Sequence, residues 1–498
     1  MANIYSMAVS DILWLGDDST DEAETVFKFV QDMGHILDNL PADERVKAKA
    51  LRAAASAVSK EITSSAVKHV LGKRRVWERI WIVQEIVVAQ DISIYCGFCS
   101  MPWSSLVAFF VAYAMLRPRL MENPDELPIF ETVTDLLSPA IYIQSARGSQ
   151  YMAANISVLD LWCQFNHLQA TDPRDKIFAL MGLAQAPPLD FNADYTKPAT
   201  EVFIAITGSA ISQTQCLDSI CIGHAEAGPV DLADITLPTW VPDFGSYSTR
   251  QTIFAIFECP HMASGNMKVL PNTTTVFSSG PEILVLFGIQ LDIILRTYSG
   301  VEGGSSWSDL RSTIQELPRD MLGRQYHTGE SLLVAFARTV TGDMSVGEVF
   351  FGEELPRQSE QEAKSLSRDV RSLLSLKGQF KDKLRSSLPS RLQSLLPDRL
   401  QRRERKQPKL YCCTPSFSGY RFCTTVNGFM AMIPDIAEAG DVLCVLYGSK
   451  YPHVLRKVPE KEDTYTLVGT AYVHGFMDGE VIEWRDQGKL KEQKFNLI

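Results

Sequence analysis

The chain of 498 residues is short of positive charge: 48 Lys and Arg stand against 59 Asp and Glu, a formal net charge of −11. A chain-wide basic field of the kind that holds nucleic acid is thereby excluded, and any anion-binding surface must be local. Long apolar runs are missing too. The longest, Leu106 to Leu116, is about half of what a bilayer span requires, so no transmembrane segment is expected. The amino terminus, MANIYSMAVSDILWLGDD, has no basic leader before an apolar stretch, which argues against a secretory signal and for an intracellular, cytoplasmic protein. Cysteine is sparse: there are ten, with a single CxxC at Cys96 and Cys99, which argues against a disulfide framework. Neither a second close pair nor a matching spacing at Cys412, Cys413 and Cys423 completes a zinc site, so structural cysteines and no metal are expected. The histidines, among them His167, His224, His453 and His474, form no HExxH, and GxxxxGK[ST] and GxSxG are both lacking. No resident cofactor is predicted.

What is present exceeds one hydrophobic core and divides into five segments. In residues 1–100, VSDILWL (9–15) reads as a buried strand closed by Gly16-Asp17-Asp18, and a helix follows from Thr20 to Leu37. An alanine-rich helical block, Ala42 to Val70, leads into KRRVWERIWIVQEIVVAQ, where helical spacing puts Trp77, Trp81 and Glu85 on one face, and DISIYCG is a second strand. That rhythm implies a parallel α/β sheet. Residues 101–235 read as helical. Asp172 can cap a helix with Pro173 at its first position and Gly182 at its end, and Thr196 can cap the next, whose apolar face runs through Val202, Phe203 and Ile206. Residues 236–355 turn to short strands and turns, LPTWVPDF and EILVLFGIQLDIIL, with Asp243 in a turn.

Residues 356–409 hold a basic amphipathic insertion: between Lys364 and Lys409 there are fourteen Lys and Arg against four Asp and Glu, or +10, leaving −21 elsewhere. A solvated linker is the simpler reading, and weak contact with an anionic membrane surface the alternative. Residues 410–487 form the clearest β segment. Phe422–Val426 and Phe429–Ile433 flank Asn427-Gly428, the residues of a type I′ hairpin turn, and Asp441–Tyr447, His453–Lys457 and Tyr465–His474 extend the meander towards a small barrel. Asp478-Gly479 reads as a turn. The expected class is α/β, a partial flavodoxin-like sheet, followed by helices and a barrel-like β module; α+β overall.

Several pieces together resemble one family. IYSMAVSDILWLGDD and RVWERIWIVQEIVVAQ-DISIYCG are similar to the middle and last blocks of the fungal heterokaryon-incompatibility (HET) domain. DPRDKIFALMGLA, ADYTKPATEVF, LPTWVPDF, GDVLCVLYGSKYPHVLR and YTLVGTAYVHGFMDGE resemble segments that accompany that domain in the same order. The domain's opening LSYxWG-like and LWIDxxCIxQ-like blocks do not occur, so the expectation is a domain shortened at its amino end, with catalysis impaired. The resemblance implies a role in non-self recognition and fungal cell death. HET domains in turn resemble TIR domains, some of which cleave NAD, with a glutamate in a W-x-x-x-E helix needed for the activity. Trp81-Ile82-Val83-Gln84-Glu85 has that spacing, which makes Glu85 the implied catalytic residue, Trp81 and Trp14 the substrate-binding ones, and NAD a substrate rather than a cofactor. A carboxylate among indoles must find a partner or line a cleft, where it could stabilise an oxocarbenium-like transition state. The alternative is a helix glutamate paired with an arginine or a backbone amide. In that case the protein is a non-enzymatic recognition scaffold, whose partners are other proteins, including self-association through the TIR-like surface, or an inactive truncated paralogue.

Overall fold

A computed structural model describes residues 2–39, 64–72, 74–120, 140–141, 143–144, 146–147, 156–184, 192–222, 237–246, 260–270, 275–276, 283–298, 313–314, 316–317, 324–345, 356–374 and 419–498. They fall into two compact units, one of Met1–Pro188 with Phe244–Tyr247, the other of Leu189–Asp243 with Ser248–Ile498. Most of the alanine-rich block and most of the basic insertion lie outside the described residues.

The first unit is built on a three-stranded sheet in the order β1 (Asp11–Trp14), β2 (Ile92–Cys96), β3 (Cys99–Pro102). The first two strands are parallel, in the register Asp11 to Ile92 through Trp14 to Tyr95, as the strand–helix–strand reading expects. A short helix α1 (Ala2–Met7) precedes β1, and α2 (Ala23–Asn39) follows it. The Asp18 carboxylate accepts the backbone N–H groups of Glu22 and Ala23, 3.2 and 2.9 Å away, which starts α2 three residues later than Thr20. β1 is buried on one face only. Leu13 and Leu15 point inward, while Ile12 and Trp14 are 71% and 49% exposed, so this is not the fully buried strand expected.

The segment read as one continuous helix through Trp77, Trp81 and Glu85 is broken. A helical stretch α3 (Ser64–Val67) runs into a π turn at Lys68–Gly72, and Arg75–Glu78 form a 3₁₀ turn. Arg79 is extended (φ −84°, ψ 129°), because it forms a parallel β-bridge with Gln169, whose carbonyl accepts the Ile80 N–H at 2.9 Å. Only then does α4 (Trp81–Val87) begin. Trp77 therefore does not share a face with Trp81 and Glu85. Its indole is buried, donating to the Leu71 carbonyl at 2.6 Å, 6.3 Å from the ring of Trp103. After β3 come α5 (Trp103–Leu120), α6 (Val158–Phe165) and α7 (Asp175–Met181). Asp172 does not cap α7 in the expected way: its carboxylate takes the Arg174 N–H and guanidinium in a turn before the helix, which starts at Asp175. Among the described residues no helix is long and apolar enough to cross a membrane.

The second unit opens with α8 (Ala199–Thr214), whose Val202, Phe203 and Ile206 are buried. Thr196 is not its cap; it bonds Asp194 in a turn, and Pro198 takes the cap position. LPTWVPDF is a run of turns rather than strand. The unit's frame is a nine-stranded sheet. Besides the two-residue β4 (Thr275–Val276) it contains β5 (Ile283–Thr297), β6 (Tyr420–Thr425), β7 (Met430–Pro434), β8 (Val442–Leu446), β9 (His453–Lys457), β10 (Thr464–Thr470), β11 (Tyr472–Val473) and β12 (Glu492–Leu497). β5 pairs with β12 on one side and with β8 on the other, and β12, β10, β9 and β8 pair in series, so five strands close a ring. Past a bulge at Gln290/Asp292 the same strand pairs with β6 from Ile294, across a second bulge at Ile294/Arg296, and β6 continues the sheet through β7 to β11. Two helices, α9 (Leu332–Thr341) and α10 (Glu360–Leu374), pack on it, with Phe336, Leu366 and Val370 in the core. The first residues of the basic insertion thus belong to a core-packed helix. The β6–β7 turn lies where Asn427-Gly428 placed it but is not type I′: only Gly428 has positive φ (84°), and Gly428 N–H reaches the Thr425 carbonyl at 3.0 Å. That is a type I turn with a glycine bulge.

Closure of the ring brings backbone against backbone at Gly288, where a Cβ would lie 2.4 Å from the Val445 carbonyl oxygen and 2.9 Å from Leu446 Cα. Gly288→Ala should therefore force β5 and β8 apart at a cost of about 1–3 kcal/mol, read as a lower urea midpoint. A midpoint equal to that of the parent would show that the ring tolerates the added methyl.

Candidate functional site

In the first unit Glu85 is half-buried on α4, 4.0 Å from the Arg79 guanidinium, with side-chain exposures of 20% and 60%. The hydroxyl of Tyr5 on α1 lies near Glu85 and is pushed up by burial, then by the charges of Glu85 and Asp11. Trp81 is half-buried at the start of α4. Glu85 thus shares a neighbourhood with Asp11, the first residue of β1, whereas Trp14 is the last, ~10 Å further along the strand. No hydrogen bond, ion pair or ring contact among the described residues joins Trp14 to Glu85 or Trp81. At the carboxyl ends of β1 and β2, where open parallel sheets bind ligands, stands Arg74, donating to the Asp17 carbonyl at 3.0 Å and to Cys96 Sγ at 3.2 Å. Cys96 and Cys99 face each other across the β2–β3 hairpin as free thiols, both pushed up by burial. Among the described residues no group of three or more His, Cys, Asp or Glu side chains is placed to hold a metal ion.

The second unit carries a cleft of about 610 Å³, a volume suited to a small-molecule ligand. Its floor comes from the strand end Tyr472–Val473 and the loop to α11 (Glu480–Asp486); its walls come from the Thr328–Ser331 turn, α9 and the start of α10. Ser331 starts α9 by accepting the Val334 N–H, and Gly342 ends it in the left-handed conformation (φ 63°), which delivers Asp343 to the wall. A chain of polar contacts runs through the floor. Glu330 Oε1 bonds His474 Nε2, and His474 Nδ1 lies 3.0 Å from the Tyr472 hydroxyl. Arg338 stands 3.4 Å from Glu330 Oε2, pairs with Asp343 and donates to the Gln358 carbonyl at 3.2 Å. On the opposite wall Arg357 pairs with both oxygens of Asp478 and reaches the Pro260 carbonyl at 2.6 Å and His261 Nδ1 at 3.4 Å. An aromatic block supports the floor: His327 stacks on Phe476 at 4.9 Å, with Phe429 at 5.1 Å.

These surroundings move the titrating groups apart. Burial would raise Glu330, but the hydrogen bond and charge of His474, the Thr328 hydroxyl and Arg338 hold it below the usual carboxylate range. For Asp343 burial wins over Arg338 and the carboxyl goes up; Glu480 also goes up through burial. Burial, then the Arg357 charge, pushes His261 down to about 4. Tyr472 is pushed well above its ordinary value by burial and the Asp343 charge, against the pull of Arg338 and Arg357. Since ionised Glu330 only accepts, His474 Nε2 carries the proton it shares, and in the neutral ring Nδ1 is left to accept from Tyr472.

The segment YTLVGTAYVHGFMDGE contributes Tyr472, His474, Gly475, Met477, Asp478 and Glu480 to this cleft. A family model described as the Het-6 beta-barrel domain matches residues 359–492. Over 97% of its length the chain is 24% identical to Heterokaryon incompatibility protein 6, OR allele, of Neurospora crassa, of which it covers 78%. The chain is thus similar to a heterokaryon-incompatibility protein along nearly its whole length and carries a Het-6 barrel match at its carboxyl end. No solved structure matches it. The matched barrel region omits β5, the strand that closes the ring. Sequence reasoning weighed His474 only against metal motifs and passed over Tyr472, Glu330, Arg338 and Arg357. Their spacing of up to 144 residues leaves no local signal, and the one clue was the HET-like segment itself.

A carboxylate held low in the folded state stabilises above its unfolded value and loses that contribution as pH falls through the folded one. Glu330→Gln should therefore cost about 1–3 kcal/mol at neutral pH and shrink towards the parent's stability as the pH drops below about 4. Urea unfolding at several pH values checks this; a deficit constant with pH would mean that Glu330 acts by packing alone.

Proposed function

We propose that this chain acts in heterokaryon incompatibility as a non-self recognition protein whose engagement ends in cell death, and that it does so by protein contacts rather than by chemistry at Glu85. The observation that carries this reading is the arrangement around Glu85. Its carboxylate faces Arg79 at 4.0 Å, near Tyr5 and the first residue of β1, which is the paired-glutamate alternative, while Trp14 and Ile12 present an apolar surface on the exposed face of β1, an edge strand among the described residues. An open strand edge beside exposed apolar side chains is a template for association with another chain. The resemblance to Heterokaryon incompatibility protein 6 spans both units, which supports assigning recognition to the chain as a whole.

A second reading keeps NAD cleavage, with Glu85 catalytic and Trp81 and Trp14 on the substrate. What favours it is that Glu85 keeps 20% exposure and only a long ion pair, so a ribose hydroxyl could still reach it. Expression in fungal hosts of differing incompatibility genotype separates the two. On the first reading viability falls by at least about tenfold in some hosts and not others, NAD is unchanged before death, Glu85→Ala stays toxic, and a double change of Ile12 and Trp14 to Lys is harmless. A fall in NAD that Glu85→Ala abolishes would establish the second, and equal growth in every host would remove the incompatibility role.

A further inference from the structure

We propose that Tyr472, His474 and Glu330 form a base-assisted tyrosine nucleophile that opens onto the barrel cleft and accepts acyl groups from neutral carboxylic esters. This activity lies beyond the incompatibility reading and does not rest on it. The three groups stand in the order that nucleophilic catalysis requires: a hydroxyl 3.0 Å from a ring nitrogen, and the ring's other nitrogen held by a carboxylate that fixes the tautomer. The carboxylate is itself held by the Thr328 hydroxyl, 3.0 Å away, and by Arg338. The imidazole is clamped further, its ring stacked on Tyr326 at 5.5 Å and its backbone carbonyl accepting the Tyr326 hydroxyl at 3.2 Å. A nucleophile buried this deeply is not pre-ionised and needs its base at the moment of attack, as a serine does.

The cleft also contains what the developing charge requires. Tyr472 lies within the fields of Arg338 and Arg357. Arg338 uses Nε and Nη1 on Glu330, Asp343 and Gln358, while its Nη2 donates to no acceptor among the described residues and can meet an oxyanion. The lining has five carboxylates against three Lys and Arg side chains, which repels an anionic substrate and selects a neutral one. In the step, the Tyr472 oxygen bonds to the acyl carbon as its proton passes to His474 Nδ1. The ester C–O bond then breaks and the leaving alcohol takes that proton. Water, deprotonated by the same nitrogen, hydrolyses the tyrosyl ester to the acid and restores Tyr472.

The probe is p-nitrophenyl acetate on the whole chain, with acetylation located by peptide mass spectrometry. Tyr472 should acetylate about 100-fold faster than the half-exposed Tyr195, with the gain expected of general-base assistance. The rate should show a solvent deuterium isotope effect, a signature of proton transfer that a purely structural contact would not give. Tyr472→Phe should abolish the adduct without altering circular dichroism, and Glu330→Gln, a change at a positioning residue, should remove both the rate advantage and the isotope effect. Acetylation of Tyr472 no faster than that of Tyr195, or unchanged in folded Glu330→Gln, overturns the proposal.

Discussion

The second unit depends on a single strand serving two partnerships. β5 is fifteen residues long, and its first part closes the ring with β12 and β8 while its last part carries β6. It can do both only because two bulges add twist where it leaves one set of partners for the other, and because Gly288 lets the β8 backbone approach without a side chain between them. Asp292, buried at the first bulge, makes the change of partner specific. One carboxylate oxygen accepts the Ile293 N–H and the other the Asn427 N–H of the β6–β7 turn, both at 2.9 Å, so the bend in one strand sets the turn of the hairpin that follows more than a hundred residues later.

The cleft inherits its geometry from this frame. β11 pairs with β7, β7 with β6 and β6 with β5, so the position of Tyr472 and of the His474 that follows it is fixed by the sheet rather than by the loop to α11. Two walls are then tied to that floor by charge, Glu330 by His474 and Arg357 by Asp478, and within the walls Arg338 joins the end of α9 to Gln358. Such partly buried pairs add little net stability compared with apolar packing. Their effect is to hold the Glu330–Asp343 stretch, the Arg357–Gln358 stretch and the His474–Asp478 stretch in one arrangement, with the polar groups aimed into a cavity instead of being spent on solvent.

How far the sequence could be read follows the range of the interaction that decides each feature. β9 is found at His453–Lys457, where the expected meander places it, and β2, β8 and the β6–β7 hairpin lie within a residue or two of their expected bounds, because local pattern decides strands of this kind. The turn type was misjudged because Asn427 answers to Asp292, and the helix through Trp77 because Arg79 answers to Gln169; neither partner is local. Likewise EILVLFGIQLDIIL was legible as strand but not as the closing strand of a barrel. W-x-x-x-E spacing shows that Trp81 and Glu85 share a helix face, yet which end of the sheet that face addresses is a property of α1 and β1, and Tyr5 was invisible to the motif.

The contrast between the two carboxylates, Glu85 and Glu330, shows what distinguishes a paired residue from one set up for chemistry. Both are partly buried and both face an arginine at 3.4–4.0 Å. Glu85 ends its chain of contacts: the Tyr5 hydroxyl lies near it, a half-exposed surface arginine lies at the limit of an ion pair, and no hydrogen bond among the described residues carries its influence further. Glu330 continues its chain, since by taking one nitrogen of His474 it determines what the other nitrogen can do to Tyr472. A carboxylate that fixes the tautomer of a histidine changes the reactivity of a third group; a carboxylate that merely neutralises an arginine does not. On that criterion the groups arranged for chemistry among the described residues lie in the barrel cleft, while Glu85 in the sheet unit stands as a paired carboxylate.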